Sequence, residues 1–150
     1  MASELDRQEL SVLVVDDAPE IRELLRLILA RQGCSVRLAS DAEEALGQVA
    51  ERMPDVVLLD IGLPGGRQKG LELCALLKGN GQPAAPVVVM LTADNDPRTS
   101  EQARALGADG YVIKPFTAMQ ILGLVDAFEV WRMAPEQSRP SFWPMPGHPR

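Results

Sequence analysis

Four stretches of this 150-residue chain place polar, chemically competent side chains directly after short apolar runs. Asp16 and Asp17 follow Leu10–Val15, and Asp60 follows Val56-Val57-Leu58-Leu59. Thr92 and Ala93 close the run Val87–Leu91, and Lys114-Pro115 closes Gly110–Ile113. If the runs are strands of an open parallel sheet, groups at their carboxyl ends meet along one edge. Three carboxylates, a hydroxyl and an ammonium would gather there. Clustered carboxylates repel one another unless a cation lies between them. Oxygen ligands with several retained waters suit Mg²⁺, and Mn²⁺ as a second choice. A carboxylate can also attack phosphorus and form an acyl phosphate. Transfer of a phosphoryl group depends mainly on positioning and on neutralising its oxygens. A metal, the Lys114 ammonium and the Thr92 hydroxyl would supply both.

The intervening segments read as the elements that position these groups. Ile21, Leu24, Leu25, Ile28 and Leu29 follow helical spacing, with Pro19 suited to the first turn and Gly33 to the exit. Ser35–Ala39 reads as a second strand. Ser40-Asp41-Ala42-Glu43 has the form of a capping box, and the helix it opens would turn Ala42, Ala45, Leu46 and Val49 inward. The third strand, Asp55–Asp60, lacks polar alternation, as expected of a strand covered on both faces. A Gly- and Pro-rich loop, Ile61–Lys69, precedes a helix near Leu71–Lys78 and a second loop, Gly79–Pro86. Asp96-Pro97 starts a fourth helix that ends near Leu106-Gly107. Thr117 and Gln120 form another capping pattern, before a last helix that reaches about Met133 with Ile121, Leu122, Val125 and Phe128 inward.

Five strands alternating with five helices imply an α/β fold, a parallel sheet wrapped on both sides by right-handed crossovers. One domain over residues 10–134 is expected, after a flexible N-terminus at 1–9. Pro135, Pro140, Pro144, Pro146 and Pro149 break any helix, so 135–150 is expected to be an extended tail. Phe142, Trp143 and Met145 within it read either as a docking segment or as a plain end.

The net charge of −6 argues against a mainly electrostatic nucleic-acid binder. Met1–Glu9 is too polar for a signal peptide, and no apolar run approaches the roughly 20 residues of a membrane span. Cys34 and Cys74 are not arranged as a metal or redox pair and read as buried thiols. These features lead to the expectation of a cytoplasmic protein that binds neither nucleic acid nor membrane.

The ordered set Asp16-Asp17, Asp60, Leu63-Pro64, Thr92-Ala93, Tyr111 and Lys114-Pro115 resembles the response-regulator receiver family over roughly residues 10–133. The resemblance implies a flavodoxin-like, doubly wound sheet of strand order 2-1-3-4-5. It implies that Asp60 accepts a phosphoryl group from a histidine kinase or a histidine phosphotransfer protein. Asp17 would be the main metal ligand and Asp16 would act largely through metal-bound water. Asp60 and the carbonyl of Gly62 would complete the protein's share of the Mg²⁺ shell. Lys114, the Thr92 hydroxyl and the Ala93 N–H would hold the phosphoryl oxygens. Tyr111 would change rotamer with Thr92 and carry the signal to the face built from helix four, strand five and helix five. The Lys114-Pro115 bond would be cis. Gly62 and Asp94 occupy positions that tune phosphoryl lifetime in the family. The glycine that opens helix three commonly lies about eight residues after the phosphoacceptor, whereas here Gly70 lies ten residues on. The connection is thus about two residues longer and carries Arg67 and Lys69. No DNA-binding domain is expected after residue 134, so the output is expected through an unidentified protein partner, from a monomer or a phosphorylation-dependent homodimer.

Duller readings exist for each position: a helix cap for Asp16-Asp17, a solvated carboxylate for Asp60, a turn cap for Thr92. A surface amine for Lys114, simple packing for Tyr111 and a solvated loop for Arg67–Lys69 complete them. For the site residues these lose weight because the groups arrive together at one edge. His148 lies in the Pro-rich segment, so the phosphodonor is expected from another molecule. A receiver-like adaptor that works without phosphorylation is the main alternative. A haloacid-dehalogenase-like phosphatase would need an Asp where Gly62 stands, and a flavodoxin would need a Ser/Thr/Gly loop after the first strand.

Overall fold

The computed structural model describes residues 9–79 and 85–133. The expected flexible N-terminus (1–9) and Pro-rich tail, with His148, Phe142, Trp143 and Met145, fall outside them, apart from Glu9. The elements are β1 Ser11–Val15, α1 Pro19–Arg31, β2 Ser35–Ala39, α2 Ala42–Glu51 and β3 Val56–Leu59. They continue as α3 Arg67–Lys78, β4 Val87–Thr92, α4 Pro97–Ala105, β5 Gly110–Ile113 and α5 Ala118–Met133. The five strands are parallel, in the order β2-β1-β3-β4-β5. The expected flavodoxin-like arrangement is therefore present.

Alternation along the strands divides the core into two layers. Leu13, Val15, Val57, Leu59, Val88, Met90 and Tyr111 face α2, α3 and α4. Val12, Val14, Val56, Leu58, Val89, Leu91 and Val112 face α1 and α5. Both faces are apolar because both are covered, which is why the strands show no polar alternation. Cys34 and Cys74 are free and buried, and burial pushes their thiols up to about 11 and about 12 respectively, so both are inert thiols.

The helices depart from the sequence reading in five places. Leu24 is exposed at 45%, and Leu122 is half-buried while Leu124 is buried. In each case the position lies roughly 100° around the helix from the central inward residue, at the margin of the apolar stripe. Leu46 is 40% exposed because it borders a surface groove between α2 and α3, shared with Asp41, Pro64 and Lys69. The cap of α2 is shifted by one residue. Asp41, not Ser40, accepts from the Glu44 N–H (2.8 Å), while the Ser40 hydroxyl bonds the Glu44 carboxylate (3.0 Å). Lastly, α3 begins at Arg67, four residues before Leu71. Gly65 and Gly66 both take positive φ (102° and 94°), turning the chain so that Arg67-Gln68-Lys69 form a first helical turn. By contrast, the Thr117–Gln120 box forms as expected, with Gln120 N–H donating to Thr117 Oγ1 (3.1 Å) and Thr117 N–H to Gln120 Oε1 (2.7 Å).

One buried ion pair closes the amino-terminal end of the sheet, far from the expected site. Lys78 Nζ donates to Asp109 Oδ2 (2.7 Å) and to the Pro86 carbonyl (3.0 Å), and Val88 N–H donates to the same carboxylate oxygen (2.9 Å). These bonds tie α3, the start of β4 and the start of β5 together. Nothing local in the sequence marks them, because the partners are 31 residues apart.

Candidate functional site

The carboxyl ends of β1, β3, β4 and β5 bring the expected residues to one edge. Backbone bonds beyond the strands fix them there. Asp60 N–H donates to the Val15 carbonyl (2.9 Å), and Lys114 N–H donates to the Thr92 carbonyl (2.7 Å). The Lys114-Pro115 bond is cis, as expected.

Carboxylate oxygens of Asp16, Asp17 and Asp60 lie within 4.8 Å of one another. Asp16 and Asp60 are buried, whereas Asp17 is exposed at the rim. Each buried carboxylate has partners. Asp16 Oδ1 accepts from the Ala18 N–H (2.9 Å) and its Oδ2 from Lys114 Nζ (2.6 Å). Asp60 Oδ1 accepts from the Gly62 N–H (2.9 Å), and its Oδ2 lies 3.2 Å from Lys114 Nζ. Lys114 therefore bridges the two carboxylates. Both oxygens of Asp16 are engaged, which leaves the exposed Asp17 better placed to reach a cation directly. All three side chains offer hard oxygen ligands, so the set fits a divalent cation such as Mg²⁺.

Burial raises the Asp60 carboxyl above its ordinary range, and the Asp16 charge adds to this. The Gly62 N–H and Lys114 oppose both. For Lys114, burial alone would lower the ammonium. The Asp16 hydrogen bond and the two carboxylate charges outweigh it and hold it above its usual value. The site is thus a buried carboxylate with the Lys114 ammonium beside it and two further carboxylates within 4.8 Å.

The β4–α4 connection forms the next layer. Thr92 Oγ1 accepts from the Asp94 N–H (3.2 Å). Tyr111 is fully buried, and its Oη donates to the Asp94 carbonyl (2.6 Å). Burial, then the nearby Asp94 charge, pushes the Tyr111 phenol up, so it stays neutral and a donor. Asp94 Oδ1 accepts from the Asp96 N–H (2.9 Å), and Asp96 in turn caps α4 through the Arg98 N–H (2.9 Å). Ala93 is exposed beside Thr92.

Gly62 and Gly70 differ in the space they leave for a side chain. A Cβ at Gly62 would meet Asp60 Oδ1 at 3.5 Å, an ordinary van der Waals contact. A Cβ at Gly70 would sit 2.6 Å from the Ile61 carbonyl oxygen and 2.7 Å from its Cα. Only glycine lets α3 pack directly on the backbone next to Asp60.

Two contacts were not anticipated from sequence. Lys114 bonds Asp16 more closely than it bonds Asp60. Arg67, read as part of a solvated loop, reaches across to Thr99 Oγ1 on α4 (3.0 Å) and to Asp94 Oδ2 (3.5 Å). Thr99 is fully buried, a polar residue at an inward position of a polar helix, which was the one available signal.

The family model of the response regulator receiver domain matches residues 12–126. PilG of Pseudomonas aeruginosa is 34% identical over 118 residues, covering 79% of this chain and 86% of PilG. The response regulator MprA of Mycobacterium tuberculosis is 39% identical over 132 residues, which is 87% of this chain and 54% of MprA. Among solved structures, the BeF3-activated receiver domain of DrrB superposes with a TM-score of 0.72 at 30% identity, covering 82% of this chain and 99% of that one. The chain belongs to the response regulator receiver domain family. It spans most of PilG but about half of MprA, so its relatives include longer regulators. No described helix is long and apolar enough to cross a membrane.

Proposed function

We propose that this chain is a phosphorylation-operated switch in which Asp60 receives a phosphoryl group from a phosphohistidine on a histidine kinase or phosphotransfer protein, with Mg²⁺ required. The observation that carries the reading is the Lys114 ammonium, held between two buried carboxylates at 2.6 and 3.2 Å beside an exposed third. In the transfer an Asp60 oxygen bonds to phosphorus as the P–N bond to the donor imidazole breaks. The donor nitrogen leaves with the bonding pair and takes a proton. Asp17, Asp16, Asp60 and the Gly62 carbonyl would hold the metal, which supplies charge neutralisation for the phosphoryl oxygens when bound. Lys114 shifts from Asp60 to the transferred group, and the Thr92 hydroxyl and Ala93 N–H bond it from the other side. Movement of Thr92 strains its bond to the Asp94 N–H and, through the Asp94 carbonyl, the bond from Tyr111. That chain of bonds leads to the α4–β5–α5 face, where an output protein would dock or a second copy would pair. Hydrolysis of the acyl phosphate returns the domain to rest, so the chain catalyses its own phosphorylation and dephosphorylation. Charge and composition support a cytoplasmic protein partner over nucleic acid or membrane.

Incubation with acetyl phosphate and Mg²⁺ is expected to add one phosphoryl mass to the intact protein, and none when the metal is chelated beforehand. Asp60→Asn, nearly isosteric with the native residue, is expected to show no added mass. Partner binding by the Asp60→Asn chain that equals the phosphorylated wild type would instead favour the adaptor reading.

A further inference from the structure

We infer that Arg67, carried on the two-residue extension after Asp60, is a positioning residue that latches the switch in its resting state. The inference rests on the phosphorylation reading above. Arg67 stands on a fixed platform. The first turn of α3 is set by Gly65 and Gly66, and Gly70 locks the helix against the Ile61 backbone. From there Nη1 donates to Thr99 Oγ1 (3.0 Å) and faces Asp94 Oδ2 (3.5 Å). Those two residues bracket the start of α4. Asp94 is also the residue whose N–H bonds the Thr92 hydroxyl and whose carbonyl accepts from Tyr111. One guanidinium thus grips the segment that must shift when Thr92 moves toward Asp60.

The grip matters because α4 is otherwise lightly held. Within Pro97–Ala105 only Thr99 and Ala103 are buried. The Arg67–Asp94 pair is long and half-exposed, so its charge attraction is screened. The Thr99 bond is the stronger component, since its acceptor is buried and would be left unsatisfied without Arg67. Releasing it should favour the phosphorylated arrangement by the amount one such bond supplies, a shift of about three- to tenfold in the resting equilibrium.

Tyr111 is the only tyrosine, so full-length protein labelled with 3-fluorotyrosine gives one ¹⁹F resonance, at the residue that touches Asp94. Spectra would be compared at rest and with beryllofluoride plus Mg²⁺, alongside uptake rates from acetyl phosphate. Arg67→Ala is expected to move the resting resonance toward the beryllofluoride position and to raise uptake about three- to tenfold. Thr99→Val should do the same, and the double variant no more than Arg67→Ala alone, because both remove one bond. Arg67→Lys, which keeps the charge but not the fork, should fall between. A resonance and uptake rate unchanged from wild type in Arg67→Ala would overturn the latch. So would a lowered melting temperature with broadening but no displacement toward the beryllofluoride position, which marks mere loosening. If wild type itself responds to neither reagent, the phosphorylation reading fails and the latch falls with it.

Discussion

Lys114→Met is expected to slow phosphoryl uptake from a small acyl phosphate by about two to three orders of magnitude, the usual cost of removing one preorganised charge stabiliser. Methionine keeps the unbranched shape of the side chain, one atom shorter, and removes its charge and donors. The same change should alter stability. In the wild type Lys114 compensates Asp16 and Asp60, both almost fully buried. Without it two carboxylates face each other with no fixed cation. The expected loss is about 2 kcal/mol at neutral pH, below the usual range for breaking a buried pair because Asp60 can take up a proton. The pH dependence follows from the direction of the Asp60 shift, which burial and Asp16 raise and which loss of Lys114 raises further. A carboxyl with a folded pKa above its unfolded one binds its proton more tightly in the folded state. Its penalty is then absent below the unfolded pKa and complete above the folded one. The deficit of Lys114→Met should therefore shrink as pH falls from 7 toward 4, and Mg²⁺ should reduce it at pH 7. Urea melts of the variant and wild type across that range, with and without Mg²⁺, check both signs.

Gly70→Ala is expected to be the most destabilising single-methyl change near the site. The added carbon would lie 2.6 and 2.7 Å from Ile61 backbone atoms, which cannot swing aside as a flexible side chain would. Either α3 or the β3–α3 connection must shift. Overpacking of this kind costs about 3 kcal/mol, the upper part of its usual range, and should lower the melting temperature by roughly 10 °C. Since Ile61 adjoins Asp60, phosphoryl uptake should fall as well. Gly47 in α2 and Gly123 in α5 provide internal controls, because a Cβ at either meets nothing within 4 Å. Alanine at those positions should be neutral or stabilise by about 0.5–1 kcal/mol through helix propensity. Thermal melts of the three variants separate close approach from a general intolerance of substitution.

Much of the fold was legible because burial on both faces of a parallel sheet produces unbroken apolar runs, and Val56–Leu59 and Val87–Leu91 are such runs. The site was legible for the same reason, since the residues that follow those runs must meet at one edge. What stayed hidden was which side chain pairs with which. The Lys114–Asp16 bond joins residues 98 positions apart, and no local pattern states that Asp16 is the nearer partner. Arg67 looked like a loop charge because the positive φ of Gly65 and Gly66, which makes it the first residue of a helix, is a backbone choice that a Gly-Gly pair permits but does not announce. Leu24 and Leu122 show another limit. Periodicity marks a stripe wider than the strip of helix that finally contacts the sheet.

The central claim, that Asp60 carries the phosphoryl group, is tested most directly by reductive trapping. Borohydride converts an aspartyl phosphate to homoserine, and trypsin releases Asp60 in the peptide Met53–Arg67, which also contains Asp55. After treatment with acetyl phosphate and Mg²⁺, homoserine is predicted at residue 60 and at no other position, and not when the metal is chelated. Homoserine at Asp16, Asp17 or Asp55, or its absence from every peptide, would contradict the account.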